Sequence, residues 1–433
     1  MLSSIPQDWE EIRFGKVARE VSARNRESND IPVLSVTKHN GFVRSSEYFS
    51  RSVHSDDTSN YKVVRKGQFA YATIHLDEGS IALLKEFDRG IISPMYTVFE
   101  TDADFVCSDY LFRCLKRFAL SGRFDPYSNG GVNRRKSISF SDLQAFRFAL
   151  PPLAEQRAIA DVLDTVDDTI KLRESAIAAI ANAKFAVMRQ LLTRGVRLDR
   201  VPMKPLSERW ILGRVAEGIN EMPIDWQLIT LTRVAKLESG HTPSRERPEY
   251  WGGDIPWLSL ADTNALDALQ VYQTAECVTS EGIANSSARI LPKDTVAFSR
   301  TATVGKVTRL ARPMATSQDF ANWICGPRIR PDYLVQVFRH MKREWKRLQE
   351  GSTHQTIYMP VFKKLQVLLP SLEEQQKIAT VGEAFDVQIE SERAVVDALK
   401  ANRDALSNEL LSGRLRIPDK MIGIQRDRAE QAA

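Results

Sequence analysis

Several loops of this chain concentrate groups that can hold a polyanion and read the edges of its bases. In the first half, Asn129-Gly130-Gly131-Val132-Asn133-Arg134-Arg135-Lys136 sets carboxamides and two glycines around three consecutive cations. Arg, Lys, Asn and Gln meet base edges with matched donors and acceptors, while Ser, Thr, Lys and Arg also hold phosphates. The glycines let a backbone come close. Lys38-His39-Asn40-Gly41 follows a strand-like run and offers similar groups on a shorter loop. The second half carries analogous places at His241-Thr242-Pro243-Ser244-Arg245, Asp262-Thr263-Asn264, Arg300-Thr301, Ser317-Gln318 and Ser352-Thr353-His354-Gln355. Taken singly, each of these side chains is more often a solvated loop residue than a contact. Arg245 and Arg247 can equally pair with Glu246 and Glu249. The Arg134–Lys136 cluster is the strongest of the set.

Catalysis would need its own constellation, and the chain does not spell one. There is no Gly-x-Gly cofactor loop, and the one Pro-Pro pair, Pro151-Pro152, is followed by Leu153 rather than an aromatic ring. No GxxxxGK[ST] loop for a nucleotide appears. Pro331-Asp332 followed by Glu344-Trp345-Lys346 imitates the carboxylate pattern of metal-dependent nucleases. Pro331–Leu348 reads, however, as one helix, with Leu334, Val337, Phe338, Met341, Trp345 and Leu348 at helical spacing. Asp332 and Glu344 would then lie roughly 18 Å apart along it, too far to share a metal. The four cysteines (Cys107, Cys114, Cys277 and Cys325) form no CxxC pair, so neither a zinc site nor a disulfide framework is indicated. No catalytic residue, metal or cofactor is expected.

The elements that would carry the polar loops come in duplicate. Leu150-Pro151-Pro152-Leu153-Ala154-Glu155-Gln156 returns 219 positions later as Leu369-Pro370-Ser371-Leu372-Glu373-Glu374-Gln375. The register then holds without a gap through Ile159 and Ile378, Asp167 and Asp386, to Leu191-Leu192 and Leu410-Leu411. Upstream, Asp8-Trp9 returns as Asp225-Trp226, and Ile31-Pro32-Val33-Leu34-Ser35 resembles Ile255-Pro256-Trp257-Leu258-Ser259. Scaffold positions are shared and the loops between them are not. β-Branched and aromatic runs predict strands at Ile31–Val36, Gln68–Ile74, Ile81–Leu84 and Tyr96–Glu100, then at Ile255–Leu260, Thr295–Ser299 and Gly305–Leu310. A helix follows in each copy, Asp109–Phe118 or Pro331–Leu348.

Residues 154–194 and their repeat step by alternating threes and fours through mostly apolar positions, which is a heptad seam with charged interruptions. A helix of about 40 residues is roughly 60 Å long and acts as a strut. Antiparallel pairing of the two struts would set Lys184 against Glu383, Asp164 against Arg403, and Arg173 within one turn of Glu392. These charges would fix register; the plainer reading is that they reach to water. The expected layout is a first strand-rich domain at 1–150, a first spacer helix at 151–194, a linker at 195–221, a second domain at 222–368, a second helix at 369–415 and a polar, frayed tail at 416–433. The fold class is α+β. The net charge of +5 permits a polyanionic partner. No apolar run is long enough to span a membrane and the first residues are no signal peptide, so a cytoplasmic location is expected.

These blocks resemble the specificity subunit of Type I restriction-modification systems over nearly the whole length. LPPLAEQRAIADVLDTVD, LPSLEEQQKIATVGEAFD and SGHTPSRERPEYWGGDIPWLS carry the resemblance. Ser22–Asp30 of the first domain departs from it, lacking Tyr-Trp-Gly-Gly. The resemblance implies a non-catalytic reader of double-stranded DNA. Two target-recognition domains in pseudo-twofold arrangement, separated by a long antiparallel two-helix coiled coil, would each read half of a split, asymmetric target. The helices would set the gap and dock two copies of an adenine methyltransferase subunit. A nuclease-translocase restriction subunit would complete the enzyme. A coiled-coil scaffold or interaction protein with no DNA role is the alternative. The basic, amide-rich loops at matching places in both halves argue against it.

Overall fold

The computed structural model describes residues 6–26, 31–38, 40–48, 57–128, 137–197, 201–206, 210, 212–351 and 355–432. The chain folds as two compact units, Met1–Lys171 with Asp397–Ala433, and Leu172–Val396. Both are strand-rich and both contain parts of two long helices, Leu153–Arg194 and Leu372–Leu411. The fold class is therefore α+β.

In the first unit a four-stranded antiparallel sheet runs in the order Ala18–Val21, Tyr96–Thr101, Phe69–Ala72, Ile81–Leu83. Phe69 sits directly opposite Phe99, and their rings stack at 4.7 Å. Cross-strand aromatic pairs of this kind add packing beyond simple burial. The helix Ser108–Leu120 lays Tyr110, Leu111, Cys114, Leu115 and Phe118 into the same core, the three-and-four spacing of one helical face. All four cysteines are free thiols, and burial pushes that of Cys114 up to about 12.

The second unit repeats the order with one strand added: Ala235–Ser239, Phe320–Cys325, Val296–Ser299, Val307–Leu310 and then Gln270–Val271, which pairs parallel. A separate three-stranded sheet joins Glu276–Val278, Trp251–Leu258 and Ala315–Thr316; its parallel pairing of Trp257 with Ala315 is matched in the first unit by a single parallel bridge, Val33 to Ile91. The expected helix Pro331–Leu348 is two helices, Pro331–His340 and Lys342–Leu348. The chain breaks at Met341, where ψ is 24°. The Phe338 carbonyl, which an unbroken helix would give to residue 342, accepts the Trp345 indole N–H at 2.8 Å. That anchors Trp345 in the core, where it is fully buried.

The duplicated Leu-Pro-x-Leu-x-Glu-Gln block builds the same junction in each unit. The strand Glu10–Arg13 pairs antiparallel with Arg147–Leu150, and Gln227–Thr230 pairs with Gln366–Leu369. Proline cannot extend either ladder, so the chain turns into the long helix. Gln156 donates from Nε2 to the Pro151 and Phe105 carbonyls and accepts the Cys107 N–H at 2.8 Å. Gln375 does the same with Pro370, Arg328 and the Arg330 N–H. Glu155 accepts the Trp9 indole N–H at 3.2 Å, and Glu374 that of Trp226 at 2.9 Å. A guanidinium closes each junction. Arg416 bridges Glu155 and Asp8, and Arg197 bridges Glu374 and Asp225. Each is preceded by a glycine at positive φ, Gly413 (75°) or Gly195 (85°), where a Cβ would strike Pro6 in one unit and Glu374 in the other. The Arg416 and Arg197 hydrogen bonds hold the carboxyls of Asp8 and Asp225 below the usual range.

Within each unit the long helices run antiparallel, but their ion pairs differ from the expected ones. In the second unit Arg173 meets Glu392 at 2.9 Å, and Lys184 meets Asp386 at 2.6 Å rather than Glu383. Glu383 is taken by Arg309 at 3.1 Å. In the first, Arg403 reaches Asp167 at 3.1 Å rather than Asp164, which pairs with Arg113. In both cases the interhelical pair forms three residues along, on a carboxylate that a domain cation also holds: Arg339 meets Asp386 at 3.0 Å, and Arg113, besides Asp164, meets Asp167 at 2.7 Å. Burial works to raise the Asp386 carboxyl, but the Arg339 and Lys184 charges outweigh it and hold it low.

Two stretches expected to be loose are packed. In 195–221, Met203–Pro205 pairs with Glu221–Pro223, and Trp210 and Val215 enter the second unit's core. In the tail, Asp419–Ala432 is a helix. Ile417 and Ile422 join the first unit's core, and Gln425 donates to Asp161 at 2.5 Å. One buried side chain on the helix, Ile422, and one just before it, Ile417, seat this segment, too few to show as periodicity. No helix among the described residues is long and apolar enough to cross a membrane.

Candidate nucleic-acid interface

Four loops of the second unit meet beyond the ends of its five-stranded sheet. Gly240 permits this, since a Cβ there would collide with the Ser317 carbonyl and with Thr316. With glycine in place, His241 donates its N–H to the Thr316 carbonyl at 2.9 Å. Thr242 then donates its hydroxyl to Gln318 Oε1 at 2.5 Å. Arg300 donates from Nε to the Gln318 carbonyl at 2.9 Å and from its fork to the Ile357 carbonyl at 3.5 Å. Burial lowers its guanidinium from the ordinary value. The Ala302 N–H reaches the Gln355 carbonyl at 3.2 Å. Thr242, Arg300, Gln318 and Gln355, about 110 positions apart in sequence, therefore share one surface.

Beside them lies a platform made by the Tyr-Trp-Gly-Gly run. Trp251 and Trp257 meet edge to face at 4.9 Å. Their indole N–H groups donate to the Ser244 carbonyl at 3.1 Å and the His241 carbonyl at 3.0 Å, so the aromatic pair pins the loop that carries the candidates. Gly252 has φ of 77°, and a Cβ at Gly253 would run into Val278 and Thr279. Here the strand bulges, Trp251 and Ile255 both pairing with Val278. Arg245 lies over Trp251 at 3.7 Å and makes a two-pronged pair with Glu276 at 2.5 and 2.8 Å, not with Glu246. Arg247 does pair with Glu249, at 3.5 Å.

Not every candidate is placed to read anything. Asp262 is buried, and its carboxylate accepts the Ser259 N–H at 2.9 Å and the Ala275 N–H at 2.7 Å. It caps the 3-10 helix Leu260–Asp267, which corrects its assignment as a contact: both oxygens are occupied by the fold. Asn264 is exposed on the same helix. Ser244 takes part through its backbone carbonyl and by accepting the Glu246 N–H at 3.3 Å. In the first unit Lys38 and Asn40 are exposed on the turn between Leu34–Thr37 and Gly41–Arg44. The Asn40 N–H donates to Thr37 Oγ1 at 2.9 Å. Lys116, which sequence reasoning missed, donates to the Lys38 carbonyl at 2.8 Å, and burial together with the Lys38 charge pushes its ammonium down to about 8. It lies on the side of Ser108–Leu120 away from the core face, where the sequence gives no reason to single out one lysine. His39, Asn129, Asn133, Arg134, Arg135, Lys136, Thr353 and His354 lie outside the described residues.

The nuclease-like carboxylates are separately employed. Asp332 pairs with Arg330 at 2.6 Å, while Glu344 pairs with Arg347 at 2.8 Å and accepts the Gly213 N–H at 3.0 Å.

Comparison with known proteins agrees with this duplicated architecture. The family model for the Type I restriction modification DNA specificity domain matches twice, at residues 6–182 and 223–401. The chain is 32% identical to the Type I restriction enzyme MjaIX specificity subunit of Methanocaldococcus jannaschii over 187 residues, 43% of each chain. It is 21% identical to the HindI specificity subunit of Haemophilus influenzae across 94% of this chain and all of that one. Among solved structures, a chain from a study of complex assembly and conformational transition of the type I R-M system shares the fold (TM-score 0.57, 16% identity, 95% of this chain and 100% of that one). So does the S subunit of a Type I restriction-modification system from M. genitalium (TM-score 0.53, 13% identity, 94% and 96%). With two matches that together span most of its length, the chain belongs to the Type I restriction-modification specificity family.

Proposed function

We propose that this chain reads a split target on double-stranded DNA, one half with each strand-rich unit, and leaves the chemistry to partner subunits. The observation that carries this reading is the double family match laid over one sheet order with unlike loops. A shared scaffold with divergent loops is what two different half-sites require. In the second unit the reading surface is Thr242, Arg300, Gln318 and Gln355 together with the Arg245 platform. In the first it is the Lys38–Asn40 turn and the Asn129–Lys136 stretch. Two such readers engage grooves about one helical turn, roughly 34 Å, apart, and the long helices set that separation.

The helices also serve as the dock for two copies of an adenine methyltransferase subunit, and a nuclease-translocase subunit joins them. Leu172, Phe185 and Val187 on the first helix, and Val387 and Val395 on the second, leave apolar groups exposed in the second unit, as a docking face requires. The chain itself is not catalytic in this reading.

Methylated adenines mapped in DNA from cells expressing this chain with its methyltransferase partner test the proposal. One split motif is expected; the absence of any motif would sink it. Arg134→Ala with Arg135→Ala should weaken duplex binding and flatten its salt dependence by about 0.9 in log–log slope for each phosphate no longer neutralised. An unchanged affinity and slope removes those two residues from the interface.

A further inference from the structure

The Arg245 platform holds a feature that reading DNA does not by itself require. Arg245 carries the donor fork best suited to a guanine edge or a phosphate, yet Glu276 occupies that fork completely, oxygen for nitrogen, at 2.5 and 2.8 Å. The pair is at the surface, with about half of the Arg245 side chain and a third of Glu276 exposed. It is not a core device, since a surface pair of this kind adds little to folding.

The two partners are held very differently. Glu276 is built into the sheet: it lies opposite Trp257 in the antiparallel pairing, and its carbonyl accepts the Thr274 hydroxyl at 2.6 Å. Arg245 stands on a turn whose backbone is tied by the Ser244 hydroxyl and the Trp251 indole. Its guanidinium carbon stands 3.7 Å from the centre of the Trp251 ring and 5.2 Å from that of Trp257. This cation–π contact holds the guanidinium beside the ring whether or not a carboxylate is at its tip. Within the described run 242–254 the cations are Arg245 and Arg247; Arg247 is paired with Glu249, and Glu246 and Asp254 lie on the same run. With Glu276 in place, both cations of that run face a carboxylate.

We propose that Glu276 is a built-in competitor for the DNA ligand of Arg245, and thereby a specificity-determining residue of the second unit. In the free protein the carboxylate stands where a phosphate or the guanine O6/N7 edge would stand. A non-target duplex, which offers phosphates in imperfect positions, does not displace a two-pronged intramolecular partner. A fitted target presents its acceptor pair where the Glu276 oxygens stand, to a guanidinium that Trp251 already holds, and the fork exchanges. The carboxylate thus subtracts from non-target binding more than from target binding. Glu276 acts here as a positioning residue and makes no contact with DNA. This inference rests on the DNA-reading function proposed above.

The test uses the full chain in complex with its methyltransferase partner, on the mapped target duplex and on a scrambled duplex, across a salt series. Glu276→Gln keeps the size and a hydrogen-bond acceptor but removes the charge. We expect scrambled-duplex affinity to rise about three- to tenfold and the log–log salt slope to steepen by about 0.9, one phosphate more, because charges beside an interface act mainly through such steering. Target affinity should change less, so the ratio of target to non-target binding falls. Arg245→Ala combined with Glu276→Gln should abolish the gain, and Arg245→Lys with Glu276→Gln should keep the non-target gain while losing target preference. An unaltered thermal transition for Glu276→Gln shows that it folds. If the wild-type complex binds its target and Glu276→Gln leaves both affinities and the slope unchanged, the competitor role is overturned while the DNA reading stands. If no duplex is bound with salt-dependent affinity by any of these proteins, the DNA reading falls and this inference falls with it.

Discussion

The junctions around Trp9 and Trp226 use the same five groups: an indole, a helix-entry glutamate, an aspartate beside the indole, a guanidinium and a positive-φ glycine. They differ in where the guanidinium comes from. In the second unit Arg197 pairs with Asp225, 28 positions away; in the first, Arg416 pairs with Asp8, 408 positions away. Matching geometry at such unlike separations shows that the junction is specified by its local shape. Closing a longer loop adds only slowly to the entropic cost, about 0.6 kcal/mol for each doubling, so a well-formed carboxylate–guanidinium–indole cluster can afford either connection. The difference also appears in strength. Arg416 meets Glu155 at 2.8 and 3.0 Å, whereas Arg197 stands 3.5 Å from Glu374, which uses its other oxygen on the Val196 N–H.

The largest test of this parallel is removal of the indoles. Trp226 is wholly buried and Trp9 nearly so. Truncating either to alanine should cost about 3–5 kcal/mol in the unit that contains it, the range for large aromatic truncations. Hydrogen exchange read separately over the two units checks this; equal loss in both units from one substitution would show that the junctions are not independent.

A pH titration exposes a second asymmetry. His340 in the second unit is buried against Phe185, their rings 4.6 Å apart, and burial with the nearby Arg189 and Lys184 charges pushes its imidazole down to about 4. An unfolded histidine titrates near 6.5. Between these values the unfolded chain binds more protons than the folded one, so stability is complete above about pH 6.5 and is lost as pH falls toward 4. The loss reaches about 3 kcal/mol at pH 4, from a shift of roughly 2.5 units at 1.36 kcal/mol each. Denaturant midpoints of the second unit at pH 7 and pH 4.5 measure it. In His340→Gln the difference should shrink, and a full-sized difference would assign it elsewhere.

Charge removal at the helix entrances is the finest probe. Glu155→Gln should destabilise the first unit by about 1–2 kcal/mol, in the range for a buried charged hydrogen bond, and Glu374→Gln the second by somewhat less. The order follows from the closer Arg416 contacts, and thermal melts followed by exchange over each unit would reveal a reversal.

Much of this scaffold was legible in the sequence because the repeat marks it. The strands Phe69–Ala72, Ile81–Leu83 and Val296–Ser299 fall inside the runs that β-branched and aromatic residues predict, and Tyr96–Thr101 exceeds its run by one residue. Glu10–Arg13 does not show, because only Ile12 of its four residues is buried and period two has nothing to act on. The break at Met341 was hidden because apolar spacing continues across it. Pairing of Asp8 with Arg416 leaves no local trace at all. The site was less legible than the fold. Which of Asp262 and Asn264 faces solvent depends on a capping box, and the partner of Arg245 is a strand residue 31 positions away.

The two origins of the guanidinium also set an order of events as the chain is made. Residues 172–396 form one continuous segment, so the second unit holds all of its own junction once that segment has been synthesised. The first unit needs Asp397–Ala433 as well. Domains generally fold as they emerge, N-terminal first, but here the half that is translated first is finished last. Trp9 and Glu155 must wait, in an incomplete domain, for Gly413 and Arg416 to leave the ribosome. The interval in which the nascent protein is most exposed to misassembly and proteolysis therefore belongs to the unit begun first, and it closes only when Asp397–Ala433 has emerged.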